Sequence, residues 1–364
     1  MALRVLHVLD KLAINSGTTN VIMNYFKKID CNQIAFDFML NQKIADEDLI
    51  KLLEDRGSKV FVMPELKISN VFKYIKALRD FYDNHEYKII HGHVANSAVF
   101  YLGLARNVPI KILHSQNSGG VRNKLKKVRN FILTRLVKAV PTHFLACSNE
   151  AAMYLFGKQN TAKLIGNAID IESFSFNPSA REKVRNKLNA NDSLVIGHVG
   201  RFCQEKNHVF LFHVFKNIIS KRPSSILLLV GCGELFEEMQ NTAKDLGICE
   251  HVIFVGKPNC IHDLFSAMDV FVLPSTSEGV PLAAVEAQAS GLPVLLSNCV
   301  SLETKVSPYT EFIPLNIEVW TNRLLNVVMH ERSIGENYVK NSRFDISIQA
   351  EVLTSYYKDI ISSL

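Results

Sequence analysis

Between Glu86 and Glu150 the sequence has no acidic residue at all, although Lys88, Arg106, Lys111, Arg122, Lys124, Lys126, Lys127, Arg129, Arg135 and Lys138 all fall there. The 364 residues carry 41 Lys plus Arg against 35 Asp plus Glu, a formal charge of +6. Without that segment 31 basic residues face 35 acidic ones, a net of −4, so the positive balance belongs to one stretch. Long apolar runs are missing too. None approaches the roughly 18 residues of a membrane span, and 98–105 is among the longest. The first residues, with Arg4 and Asp10 around a short apolar strand, do not read as a signal peptide. The seven cysteines are odd in number and include no C-x-x-C pair, which points to buried thiols in a reducing compartment and a cytoplasmic chain. There is no G-x-x-x-x-G-K-[ST] loop, which excludes a P-loop nucleotidase. Disorder is excluded as well, since 48% of residues are apolar and only 21% charged.

What is present is a repeated alternation of short β-rich runs with helical patterns. Strands are expected at 3–9, 34–40, 60–63, 88–91 and 110–114, with helices near 20–28, 46–56 and 70–84. A second cycle begins at 194–199 and continues through 226–230, 252–255, 270–273 and 294–297. Strands apolar on both faces and separated by helices predict parallel sheets covered on both sides, joined by right-handed crossovers. Gly166, Asn167, Asn177 and Pro178 mark 165–179 as the linker. The expected class is α/β, with two Rossmann-like domains whose parallel sheets face an interdomain cleft. The divisions are 1–165, 166–345, and a C-terminal helix, 346–364, packing back toward the first domain.

Three motifs of the second half carry chemistry. In Glu278-Gly279-Val280-Pro281-Leu282-Ala283-Ala284-Val285-Glu286, a strand ends in the hydroxyl-rich Ser275-Thr276-Ser277 loop and a helix follows. Pro281 suits its first position and Gly291 its end. Free N–H groups of the first helical turn form an anion site. Glu278 and Glu286 beside a phosphate make sense if they accept hydrogen bonds from sugar and ribose hydroxyls; a capping acid plus an ordinary helix Glu is the plainer alternative. In Gly200-Arg201-Phe202-Cys203-Gln204-Glu205-Lys206-Asn207, a guanidinium and an ammonium at a strand end suit a diphosphate, or are simply solvated. Val230-Gly231-Cys232-Gly233-Glu234-Leu235 is a glycine-rich strand-to-helix junction. It is not the dinucleotide fingerprint, because Phe236 occupies the third glycine position.

In this order and spacing the three motifs resemble the family-4 glycosyltransferases of the GT-B fold, in particular bacterial enzymes of exopolysaccharide and capsule synthesis. The family patterns G-R-x-x-x-x-K-N, V-G-x-G-x-L, E-G-x-P-x-x-x-x-E and A-x-G-x-P-V are matched by Gly200–Asn207, Val230–Leu235, Glu278–Glu286 and Ala289–Val294. Asn167-Ala168-Ile169-Asp170 resembles the family's N-G-[IV]-D linker, with Ala in place of Gly. The first half matches more loosely. A Gly-Gly pair is represented by Ser16-Gly17, and His93 of His91-Gly92-His93 matches a histidine that the family places in the cleft. Zinc on His91 and His93, or a purely structural pair, are the alternatives.

The resemblance implies retaining transfer of a sugar from a nucleotide-sugar, most often a UDP-sugar, to a glycan acceptor that is usually lipid-linked. It implies that Arg201, Lys206 and the free amides near Gly279–Leu282, a stretch formed by Gly279, Val280, Pro281 and Leu282, hold the diphosphate, Glu286 the ribose and Glu278 the sugar. His93 would bond the sugar or take part in proton movement. Ser16, Gly17, Gly231 and Gly233 would complete the donor site. No cofactor or metal is expected, since no D-x-D follows a strand, and Asp46-Glu47-Asp48 reads as a solvated first helical turn. A catalytically silent partner subunit and a nucleotide-sugar 2-epimerase are the other readings.

The acid-free segment has its own pattern. Val121, Leu125, Val128, Ile132 and Leu136 recur at helical spacing, flanked by Arg122, Lys124, Lys126, Lys127 and Arg129. A basic amphipathic helix of this kind suits an anionic membrane surface on the acceptor side. A solvated packing helix is the competing reading. No binding motif for nucleic acid accompanies the charge. The expected place of action is the inner face of the plasma membrane.

Overall fold

The computed structural model describes residues 2–13, 16–42, 46–116, 137, 139–158, 161–258 and 260–364. Arg122, Lys124, Lys126, Lys127 and Arg129 lie outside the described residues. The chain divides into two compact units. One is Met1–Ala168 with Ile346–Leu364, the other Ile169–Asp345.

The first unit is built on a parallel sheet of β1 (Leu3–Leu9), β2 (Ile34–Leu40), β3 (Val60–Val62), β4 (Ile89–Gly92), β5 (Ile110–Ser115), β6 (His143–Ala146) and β7 (Lys163–Leu164). Their spatial order is β3-β2-β1-β4-β5-β6-β7. The second unit holds β8 (Val195–Val199), β9 (Ile226–Val230), β10 (Val252–Gly256), β11 (Val270–Leu273), β12 (Val294–Ser297) and β13 (Thr310–Ile313), in the order β10-β9-β8-β11-β12-β13. The central strands are almost wholly buried because helices cover both faces, hence runs such as Ile-Leu-Leu-Leu-Val in β9 and Val-Phe-Val-Leu in β11. In the second unit one face packs Phe265, Phe271 and Leu296, the other Phe212, Phe215 and Trp320.

Three strands escape sequence patterning. β7 has two residues, β13 is an edge strand reading Thr-Glu-Phe-Ile, and β6 holds only Phe144, Leu145 and Ala146 after its histidine. Pro281 is a correction of one residue: it is the N-cap, extended at φ −73° and ψ 116°, and the helix is Leu282–Ala289. Gly291 ends that segment at φ +66°, where only the lack of a Cβ avoids the Arg332 carbonyl, 2.2 Å from where one would lie.

Both strand orders reverse direction at one place, between β1 and β4 and between β8 and β11. In open α/β sheets the loops leaving the carboxyl ends of such strands diverge and leave room for a ligand. Arg201 and Lys206 follow β8, Glu278 and Glu286 follow β11, and Ser16 and His93 follow β1 and β4; the Gly231–Gly233 turn follows the adjacent β9.

Candidate active site

In the second unit, β8 leads through Gly200 and Arg201 into the turn Gln204–Lys206 and the helix His208–Lys221. Arg201 is exposed, but its neighbours on both sides are fixed. Phe202 is fully buried and stacked on His208 at 4.2 Å; its N–H donates to the Cys232 carbonyl (3.0 Å), and its own carbonyl accepts from Leu235 N–H (3.0 Å). This explains the two glycines after β9. A Cβ on Gly231 would lie 2.0 Å from the Gly200 carbonyl oxygen, and one on Gly233 2.3 Å from that of Phe202. Gly231 and Gly233 let the β9 loop press on the β8 loop and so set where Arg201 stands.

Lys206 turns back over Gly200. A Cβ there would lie 3.1 Å from the lysine Cε, so the glycine makes room for the stem. Its ammonium reaches Glu278, at the far end of the β11 loop, with Nζ to Oε1 of 2.6 Å. The two side chains are 14% and 20% exposed, sheltered enough for the pair to hold a defined geometry. Ser275 Oγ donates to the same carboxylate oxygen at 3.4 Å. Asn207 locks the two loops together. It adopts the left-handed conformation (φ 58°, ψ 45°) that ends the turn, and its side-chain amide donates to the Pro274 carbonyl at 3.2 Å. Thr276 N–H donates to the Glu205 carbonyl (2.8 Å) across the same seam. The sequence places Asn207 and Ser275 within their motifs but assigns neither a role in joining the loops.

Glu278, Gly279, Val280 and Pro281 form the lead-in to the helix, with Ser301 N–H held by the Glu278 and Gly279 carbonyls at 3.3 and 3.2 Å. At the helix N-terminus the Ala284 N–H turns back to the Pro281 carbonyl (3.1 Å), which leaves the Leu282 and Ala283 amides as the first-turn donors. One turn on, Glu286 is partly buried, and burial pushes its carboxyl up to about 7. Under the Lys206 stem, His198 and His208 are buried. Burial, then the charge of Lys206, lowers His208 to about 4, while burial and the neighbouring His208 and Lys206 hold His198 well below its usual range. Both rings are therefore neutral at pH 7, and Lys206 and Arg201 supply the positive charge of these loops.

In the first unit, Ser16 is the N-cap of the helix Gly17–Lys28, accepting from Thr19 N–H at 3.4 Å, and a Cβ on Gly17 would meet nothing within 4 Å. His93 follows β4, its N–H on the Val8 carbonyl of β1 (3.0 Å). Parallel register puts three more histidines on the same sheet face: His7 is opposite His91, and His114 lies two residues beyond Ile112, the β5 partner of His91. Tyr357, from the helix Ile346–Ser362, hydrogen-bonds to His91 and His7. Ring nitrogens of His7, His91 and His93 lie within 4.8 Å of one another, a spacing three metal ligands could adopt. His7 and His91, however, already spend both nitrogens on other rings or on Tyr357. A metal would have to break those bonds.

Comparison with known proteins agrees with this geometry. A family model described as Glycosyl transferases group 1 matches residues 180–310, the span containing the Arg201, Lys206, Glu278 and Glu286 loops. EpsF of Bacillus subtilis (strain 168), a glycosyltransferase by its name, is 33% identical over 312 residues, covering 82% of this chain and 80% of that one. The UDP-Gal:alpha-D-GlcNAc-diphosphoundecaprenol alpha-1,3-galactosyltransferase of Escherichia coli is 28% identical over 387 residues, or 99% and 97% of the two chains. Among solved structures, HepE of Anabaena in complex with UDP and glucose superposes with a TM-score of 0.80 over 100% of both chains at 19% identity, a likeness of fold. Paired Rossmann-like units of this topology are the GT-B fold. The chain belongs to the group 1 glycosyltransferases.

Proposed function

We propose that the chain moves a sugar from a UDP-sugar to a lipid-linked glycan during exopolysaccharide or capsule assembly, with retention of configuration. The observation that carries this reading is the Lys206–Glu278 pair, 2.6 Å apart, which joins the loop after β8, where Arg201 also lies, to the loop after β11. A carboxylate neutralising the lysine holds it in place until a stronger anion arrives. As the diphosphate enters, Lys206 exchanges Glu278 for phosphate oxygens, and the released carboxylate accepts from sugar hydroxyls. Arg201 grips the same diphosphate in bidentate fashion. Glu286, once ionised, accepts from the ribose. The bond from the sugar's anomeric carbon to the phosphate oxygen breaks, and the acceptor hydroxyl attacks from the same face. The departing phosphate takes that hydroxyl's proton, while Arg201 and Lys206 stabilise the charge growing on it. No protein nucleophile is needed.

The relatives' names support the substrate classes. One names UDP-Gal and a diphosphoundecaprenol-linked acceptor, and another, CapH of Staphylococcus aureus, capsular polysaccharide biosynthesis. With two cations on the diphosphate, metal is not required. Calorimetry against a panel of nucleotide-sugars should find tight binding of a UDP-sugar, unchanged by EDTA, and UDP release should rise when a polyprenyl-diphosphate glycan is added. Absence of binding across the panel overturns the reading, and binding without acceptor-stimulated release identifies a silent subunit instead.

The acid-free segment, with Arg122, Lys124, Lys126, Lys127 and Arg129, fits the same picture, since the acceptor class resides in a membrane. No helix among the described residues is long and apolar enough to cross one. Attachment would be to the surface, at the cytoplasmic leaflet. The protein should float with vesicles rich in anionic lipid at low salt and be released at high salt; equal flotation with neutral vesicles would sink the electrostatic account.

A further inference from the structure

The four buried histidines and Tyr357 form a single hydrogen-bonded chain. In order, His93 Nε2 meets His7 Nδ1 at 3.1 Å; His7 Nε2 meets Tyr357 Oη at 3.5 Å; Tyr357 Oη meets His91 Nδ1 at 2.6 Å; and His91 Nε2 meets His114 Nδ1 at 3.1 Å. Of the eight ring nitrogens, His93 Nδ1 and His114 Nε2 alone have no partner among the described residues. They are the two ends of the chain.

Such a chain couples its members' tautomers. Every ring is neutral, because burial, reinforced at His7, His91 and His93 by other rings of the group, holds all four far below the usual imidazole range. A neutral ring has one N–H and one lone pair, so each ring that accepts on one nitrogen must donate from the other. The direction is set at Tyr357. Its 2.6 Å contact to His91 is shorter than the usual N–H donor range, which starts near ~2.7 Å, and fits an O–H donor. Tyr357 therefore donates to His91, and at 3.5 Å its oxygen can only receive from His7 Nε2–H. His7 Nδ1 is then a lone pair and accepts from His93 Nε2–H. At the far end the same rule places the His114 proton on Nε2, since its Nδ1 accepts from His91 Nε2–H.

We propose that Tyr357 is a positioning residue which, through His7, keeps the proton of His93 on Nε2 and leaves Nδ1 as an acceptor for a hydroxyl of the bound sugar. This rests on the nucleotide-sugar reading given above, but the tautomer itself does not. The side chain that selects the histidine's usable face comes from the last helix, 264 positions beyond it in sequence.

The test is imidazole nitrogen NMR on full-length protein labelled with 15N-histidine, the His93 signals being assigned by their loss in His93→Gln. Wild type should show one tautomer at His93, protonated at Nε2. In Tyr357→Phe, which keeps the ring and removes the hydroxyl, His93 should become a mixture of both tautomers. Sugar-nucleotide kcat/KM should then fall on the order of fivefold, one hydrogen bond's worth, with affinity for free UDP unchanged. Should Tyr357→Phe not fold, His7→Asn breaks the chain one link nearer His93. A wild-type His93 protonated at Nδ1, or a single unchanged tautomer in the folded variants, overturns the inference. If the protein binds no sugar nucleotide, the spectra still decide the tautomer, so the two readings fail separately.

Discussion

Alanine in place of Lys206 should lower kcat/KM for glycosyl transfer by on the order of 10²–10³, the usual cost of removing a cation or donor that stabilises charge developing in the transition state. Arg201→Ala should do the same, yet the two variants should differ in stability. Arg201 is exposed, so its removal should leave the melting temperature near that of wild type. Lys206 is the partner of a sheltered carboxylate, and its loss leaves Glu278 with only the long Ser275 hydroxyl contact. That should cost about 1–3 kcal/mol of folding free energy. The double variant Lys206→Ala/Glu278→Ala removes the stranded charge and should recover much of the stability with none of the rate. Thermal melts and steady-state kinetics on the four proteins separate the two effects, and near-wild-type turnover in Lys206→Ala would end the diphosphate assignment.

Glu286→Gln should make the ligand-free protein more stable at pH 8, by on the order of 2 kcal/mol, while weakening donor binding about tenfold. The sign follows from where the carboxyl titrates. Burial raises it from about 4.5 to about 7, so between those values the folded chain holds a proton that the unfolded chain has released. The associated stabilisation is complete below about 4.5 and is lost as the pH rises through 7. Glutamine stays neutral and escapes the loss. Denaturant unfolding of both proteins at pH 5 and pH 8 checks this: the curves should nearly coincide at pH 5 and separate at pH 8. Hydroxyls of a bound ribose favour the ionised form, so donor binding should also tighten as the pH rises from 6 to 8 in wild type and stay flat in the variant. Equal stability of the two proteins at pH 8 would mean that Glu286 titrates normally.

How far such residues could be read from sequence depended on how local their signals are. The runs that became β8, β9, β11 and β12 were legible because a strand buried on both faces is mostly apolar, His198 in β8 and Ser297 in β12 being their polar residues. The Glu278–Glu286 segment was legible because a strand end, a hydroxyl loop and a helix start follow one another within the span of a motif. That Lys206 touches Glu278 was not, since 72 positions separate them and only the adjacency of β8 and β11 brings them together. The histidine chain was further out of reach. His91 and His93 stood out as a pair, but His7, His114 and Tyr357 join them only through parallel register and a helix from the other end of the sequence. Short or polar strands such as β7 and β13 have too few apolar residues to announce themselves.

The division of the chain has a consequence for how the protein is made. The first unit takes both ends of the sequence, Met1–Ala168 and Ile346–Leu364, with the whole of Ile169–Asp345 between them. On the ribosome its sheet emerges first, but the helix bearing Tyr357 emerges last, after the second unit is already free to fold. At synthesis rates of roughly 5–20 residues per second, the face bearing His7, His91, His93 and His114 stays without that helix for on the order of ten seconds or more. The buried histidine row is thus begun first and closed last, and a nascent chain cut short before residue 346 would carry its polar row without the helix that seals it.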